Sequence, residues 1–291
     1  MPMLRVTGAM GAFQAAMRGA RHPMLKTRLI SVIVILPVLV VMIALGGLPF
    51  AVFAAAVLAV AAWEFWRMFH QAGYSPSMVI LTGGTFILVL LRYFDAFNDS
   101  GIALALLALA AMAYHTIAYQ RGAEQSAVDF CLTLGGLIYL GWIGAFFVSL
   151  RQLPDGEWWT LLILPAMGIA DAGAYAIGRR LGKHKMMLRV SPNKSWEGYV
   201  GGIITAVLLT PLIALFWHVM APAITIERAA LAGFIVALVA PMGDFGESML
   251  KRQFNVKDTS NLIPGHGGIM DRLDSMLWAA VIGYLIIIWF F

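Results

Sequence analysis

Close to the C-terminal end of the chain, acids and bases recur at helical spacing within sequence that is otherwise strongly apolar. Asp244, Glu247, Ser248 and Lys251 follow an i, i+3, i+4, i+7 rhythm, which puts all four on one face of a helix. Asp271 and Asp274 are also three apart, so a helix starting there presents both on one side. Asp171 and Tyr175 repeat the pattern at i, i+4. A carboxylate inside a membrane-grade run is expensive, and such residues mark function unless a base pairs with them. Oxygen ligands drawn from several helices suit a hard cation such as Mg2+, and no His/Cys spacing suggests zinc. Asp244 and Asp271 are therefore the expected metal ligands, with Asp274 as a third ligand or an acid just behind them. Glu64 stands close to Arg67 and reads instead as half of an ion pair that stitches helices together.

Two polar segments surround these acids. "GRRLGKHKMMLRVSPNKSWEG" (178–198) and "KRQFNVKDTSNLIPGHGGIMDRLDS" (251–275) both mix Lys and Arg with Gly, Ser and Asn. Arg grips phosphate oxygens with a two-pronged fork and Lys meets them as a point charge. Gly265, Gly267 and Gly268 let a backbone approach a ligand closely and present its N–H groups to an anion. His266, set among those glycines, reads as a phosphate or base contact. "SPNKSWEG" reads as a turn leading into a helix, with Pro192 in the turn and Ser195 and Gly198 bracketing the helix start.

The elements that must position these residues follow from composition. The chain has 291 residues, of which 61% are hydrophobic and only 12% charged, and its mean hydropathy is +0.83. About a quarter of the residues of an ordinary soluble domain are charged. Repeated apolar runs approach the ~20 residues needed to cross ~30 Å of hydrocarbon. The fold class is all-α: a polytopic membrane bundle of about nine spans, near 29–47, 48–66, 78–94, 101–119, 130–150, 157–178, 199–219, 229–250 and 273–291. The first two spans are parted only by Gly46, Gly47 and Pro49, and the last helix is expected to begin inside the polar strip.

The organisation expected is a basic segment over 1–28, scaffold helices over 29–150, and a catalytic region over 151–291 with loops at 179–198 and 251–272. Cys131, the single cysteine, sits in an apolar run and is expected to pack there. No internal repeat and no cleavable signal sequence is apparent. With the N-terminus cytoplasmic, only Arg92, Arg151 and Arg228 of the 20 Lys and Arg fall on the far side, as positive loops stay inside. The net charge of +5 is then a membrane-surface property and not a sign of nucleic-acid binding.

Residues 248–274, S-x-L-K-R-x4-K-D-x-S-x2-I-P-x-H-G-G-I-x-D-R-L-D, resemble without mismatch the signature of the phosphatidate cytidylyltransferases, or CDP-diacylglycerol synthases. "DAGAYAIGRRLGKHK" (171–185) with "SPNKSWEG" (191–198) is similar to that family's second block. There Ala172 replaces a common hydroxyl residue and Ser195 a usual threonine, so position 172 takes no ligand role. Before about residue 165 the likeness rests on hydropathy only.

The resemblance implies transfer of a cytidylyl group from CTP to phosphatidic acid, a divalent ion (Mg2+) with room for a monovalent one such as K+, and a homodimer. It also implies a bacterial-type inner-membrane location with the site facing the cytoplasm. Lys251, Arg252, Lys257 and Arg272 would balance the phosphates, and Gly267, Gly268 and His266 would shape a nucleotide cradle. Asp171, Lys194, Ser195 and Ser248 would complete the substrate pocket. Asp258 would orient Lys257 or the cytosine amine. Two other readings of the residues stand beside this: an ion-coupled transporter using the buried acids, and another lipid-phosphate transferase. The spans before residue 150 carry no chemistry that can be read from sequence.

Overall fold

The computed structural model describes residues 21–291 apart from Ala96, Asn255, Lys257, Asn261 and 264–266, with side chains described from Ile33 onward except Asp95. Lys257 and His266, two of the expected site residues, lie outside the described residues, as does Gly265. The chain runs through α1 (Arg21–Leu45), α2 (Gly47–Gln71), α3 (Met78–Asp95), α4 (Asn98–Gln120), α5 (Ser126–Gly136), a π-helical turn (Leu137–Trp142) and α6 (Phe146–Gln152). It continues through α7 (Gly156–Leu181), a hairpin of β1 (Lys185–Met187) and β2 (Ser191–Ser195), α8 (Trp196–Trp217), α9 (Ile226–Val239), α10 (Pro241–Gln253) and α11 (Met270–Phe290).

This is an all-α membrane architecture. Among the described residues, seven helical stretches are long and apolar enough to cross a membrane, and two shorter apolar helices, Ile33–Leu45 and Met78–Phe94, fall at the first and third expected spans. Gly46 and Gly47 both adopt positive φ (59° and 53°) and turn the chain sharply between α1 and α2, where a β-carbon would be disfavoured. The last helix starts at Met270, within the polar strip, as expected.

The spans expected over 130–150 and 229–250 fall within two of the seven stretches, Ser126–Gln152 and Ile226–Gln253. The first contains the π turn, and the second bends at Ala240, because Pro241 has no N–H to continue the ladder of α9 and instead opens α10. The structure departs from the sequence expectations in two other places. Residues 191–195 are an antiparallel strand paired with β1, not a simple turn, although the helix start at Ser195 is where it was placed. Cys131 is exposed on α5 and does not pack inside.

Two large apolar clusters, with a small third of Ala170, Ala206 and Ala237, form the interior. One gathers α2 and α3 with Leu277 and Ala280 of α11; the other gathers α7 and α9 with Ala279 and Ile286 of the same helix. The helix that carries Asp271 and Asp274 is thus a wall shared by both halves. Between α7 and α8 the seam is lined with small residues. A β-carbon on Gly202 would lie 2.6 Å from the Ala170 carbonyl oxygen, and one on Gly198 would lie 3.0 Å from the Gly178 Cα. Such close backbone approach is how helices gain contact where lipid is as apolar as leucine.

Candidate active site

A cavity of about 630 Å³ opens between α7, the β-hairpin and α10, and is lined by Asp171, Tyr175, Arg179, Lys194 and Asp244 among others. Lys194 on β2 reaches across to α10, its Nζ 2.5 Å from Asp244 Oδ2 and 4.5 Å from the centre of the Phe245 ring. Ser248, one turn along α10, donates its hydroxyl to Asp244 Oδ1 at 3.1 Å. Asp244 is thereby held from two sides while staying open to the cavity. The hairpin is fastened at its base. Glu197 accepts the backbone N–H groups of Lys183 (3.1 Å) and His184 (3.1 Å) and contacts His184 Nδ1 at 2.6 Å. Ser195 borders the cavity, yet its buried Oγ accepts the Gly198 N–H at 3.2 Å and caps α8.

The second polar segment assembles at the other end of α10. Lys251 Nζ lies 2.7 Å from Asp271 Oδ1 and 3.4 Å from Glu247 Oε1. Asp271 Oδ2 accepts from Thr259 N (3.0 Å), Thr259 Oγ1 (2.9 Å) and Gly268 N (2.8 Å). Gly267 holds φ at 83° and its carbonyl accepts from Ile263 N, closing a tight loop. Asp258, Arg252 and Arg272 are exposed around this loop. One helix, α10, therefore carries one member of each ion pair: Asp244 toward the hairpin, Lys251 toward the start of α11.

Comparison with known sequences bears on this arrangement. The profile described as "Cytidylyltransferase family" matches residues 26–290, nearly the whole chain. The chain belongs to the cytidylyltransferase family. A phosphatidate cytidylyltransferase of Mycobacterium leprae is 31% identical over 231 residues, covering 75% of this chain and 73% of that one. One of Bacillus subtilis is 33% identical over 196 residues (67% and 71%), and one of Haemophilus influenzae is 48% identical over 112 residues (37% and 38%). The family suggested by the 248–274 signature is the family found.

Electrostatics decide what this cytidylyltransferase-family site can hold. Asp171, Asp244 and Asp274 lie close enough to repel one another across the cavity wall. Glu247 is 1% exposed and is met at its Oε1 by Lys251 Nζ at the long distance of 3.4 Å. Its neighbours are Asp274 and Lys251. Carboxylates crowded in this way require protons or cations between them. Among the described residues no three acid, His or Cys side chains stand ready as a metal cluster. The side chains gathered around the cavity and at the foot of α10 nevertheless offer oxygen donors alone, the chemistry that a hard divalent cation takes.

The structure brings Asp171, Lys194, Ser195 and Asp244 to the cavity, Ser248 to Asp244 one turn along α10, and Lys251, Asp271 and Gly268 to the second polar segment. It gives several of them work among themselves: Ser195 caps a helix, Ser248 steadies Asp244, and Gly268 donates to Asp271. Gly268 also permits close packing, since a β-carbon there would lie 2.7 Å from both oxygens of Glu64.

The expected Glu64–Arg67 pair is corrected. Glu64 is fully buried and turns to the strip, accepting from Ser260 Oγ, Ile269 N and Met270 N, while Arg67 lies over the Trp63 ring. Glu64, Thr259, Ser260 and Glu197 are the site-building residues that sequence reasoning passed over. For Glu64 the signal was present, a lone acid within an apolar run; Ser260 and Glu197 stand in the quoted family segments but took no role there, and Thr259 falls at an unspecified position of the signature.

Proposed function

We propose that this chain transfers the cytidylyl group of CTP to phosphatidic acid, giving CDP-diacylglycerol and pyrophosphate, at the cytoplasmic face of the membrane. The observation that carries the reading is the pair of lysine–carboxylate contacts, Lys194–Asp244 and Lys251–Asp271, at the two ends of one short helix beside a cavity. Lysines able to meet phosphate and acids able to hold a metal ion are side by side there. The named relatives act on phosphatidate, and the match to the family runs almost from end to end.

In the reaction, an oxygen of the lipid phosphate attacks the α-phosphorus of CTP, a P–O bond forms, and the bond to the leaving pyrophosphate breaks. The nucleophile is anionic near neutral pH, so no serine or cysteine is required. The obstacle is repulsion between two anions and the charge growing on pyrophosphate, which positioned cations relieve. Asp244 and Asp271 are the residues that would hold Mg2+, with Asp274 and Glu247 adjoining; the ion supplies charge compensation at the phosphates. Lys194 and Lys251, now paired with those acids, are placed to turn to phosphate oxygens. Arg179 at the cavity rim adds a forked donor. A monovalent ion beside the divalent one, and a homodimer, remain part of the proposal through the family alone.

The test uses purified full-length protein with CTP labelled on the cytidine, phosphatidic acid in mixed micelles, and Mg2+. Label should enter the lipid only when phosphatidic acid is present, with release of one pyrophosphate per lipid. Chelation of the metal should stop turnover and added Mg2+ restore it. Label-free lipid in an otherwise folded preparation would remove the proposed activity.

A further inference from the structure

The apolar N-terminal half contributes one buried charge to the site, and its placement goes beyond scaffolding. Glu64 sits in the middle of α2 with no exposure to solvent. Its Oε1 accepts from Ile269 N at 3.0 Å and from Ser260 Oγ at 2.5 Å; its Oε2 accepts from Met270 N at 2.7 Å. These partners lie about 200 positions away in sequence, Ile269 and Met270 at the start of α11 and Ser260 in the polar loop before it. That helix has no cap of its own, because Ile269 occupies the N-cap position and offers no side-chain acceptor. The first N–H groups of a helix need acceptors, and its positive end favours an anion. Glu64 supplies both from another helix.

Three successive amides make the arrangement specific. Gly268 N–H points to Asp271, while Ile269 N–H and Met270 N–H point to Glu64. The peptide planes of this turn are therefore fixed by two carboxylates from different helices. Thr259 ties the same two acids: its Oγ1 lies 2.9 Å from Asp271 Oδ2 and 3.4 Å from Glu64 Oε2, so its single proton serves the nearer, Asp271. Ser260 in turn accepts from Leu262 N at 3.1 Å, which carries the constraint into the polar loop. Rotating the 268–270 turn would move Asp271, and with it Lys251.

We propose that Glu64 is a positioning residue of the active site: from the N-terminal half, it sets the turn 268–270 and residues 259–260 that place Asp271 and Lys251. The inference rests on reading the 251–272 segment as catalytic. It predicts a defect in turnover and not merely in folding, since Glu64 is not part of the cavity where Asp171 and Arg179 stand.

The experiment compares wild-type protein with Glu64→Gln, Glu64→Asp and Ser260→Ala, each purified at full length and assayed for kcat and for KM toward phosphatidic acid. Hydrogen exchange over 256–270 and thermal unfolding are followed on the same preparations. Glu64→Gln turns one acceptor into a donor facing other donors. Its kcat should fall about 10–100-fold, the range seen when a partner orienting a ligand is lost. The KM for phosphatidic acid should hold, and exchange should rise over 256–270 while other helices keep their protection. Glu64→Asp, with its charge retained, should recover part of kcat. Ser260→Ala leaves Glu64 in place and cuts the loop's own contact, so it should lower kcat in smaller measure. A Glu64→Gln protein with wild-type kcat overturns the proposal, as does a loss that only follows the fraction unfolded. If Glu64→Gln does not fold, Ser260→Ala decides: wild-type kcat there overturns the proposal equally. An inactive wild-type protein would instead refute the proposed function, which separates the two failures.

Discussion

Asp244 and Asp271 differ in how much of their charge the protein already uses. Asp271 is surrounded by an ammonium, two backbone N–H groups and a hydroxyl, whereas Asp244 has one lysine and one serine and looks into the cavity. Asp244→Asn removes one charge at nearly constant volume and strands Lys194, so kcat in the labelled-CTP assay should fall about 100-fold or more, as when a charge-stabilising group is removed. Turnover close to wild type would take Asp244 out of the reaction centre. That these two acids stand beside lysines in a polar region was legible from their spacing and from the cost of burying them. Glu64 was misread because spacing within one helix sees only that helix's neighbours, here Arg67. Its true partners are amides that any sequence would possess.

At the scale of elements, the cavity depends on how closely α7 and α8 approach, because Asp171 and Tyr175 stand on α7 and Lys194 immediately precedes α8. Gly202 faces the Ala170 carbonyl and the Ala174 Cβ, and backbone atoms cannot yield as a flexible side chain does. Gly202→Leu should part the two helices at a cost of about 1–3 kcal/mol, seen as a lower unfolding midpoint in detergent. An unchanged midpoint would mean the seam has slack. The spans themselves were readable from hydropathy. The hairpin was not, since strands of three and five residues carry too little alternation to register, and β1 pairs with a segment that reads as turn. The break at Ala240 could have been read from Pro241; the π turn has no such marker.

For the whole molecule, α11 is packed against both halves, so the residues over 29–150 and 151–291 share one interior. That packing is what allows a residue of α2 to reach the strip. Orientation in the membrane is open to direct test. A helix of 22 residues such as α8 is ~33 Å long, enough to set its ends on opposite faces. In a Cys131→Ala background, Leu188→Cys on the hairpin and Val219→Cys after α8, both well exposed, should respond differently to an impermeant maleimide applied to intact cells. Labelling at 219 with protection at 188 agrees with a cytoplasmic site. The opposite result would invert the bundle and deny the site its CTP.

Sequence by itself determined the membrane class, the approximate spans and the family, and it singled out the polar residues proposed to carry the chemistry. All of these are written in local patterns, namely run length, helical spacing, and one short segment of 27 positions (248–274). Only the tertiary structure decided which groups answer which charges: Lys194 to Asp244, Lys251 to Asp271, and Glu64 to the first amides of α11. The physical reason is that a buried carboxylate is satisfied by whatever donors packing brings to it, and backbone N–H groups are present at nearly every position. Which of them arrives is settled by helices meeting in three dimensions, not by the order of residues along any one of them.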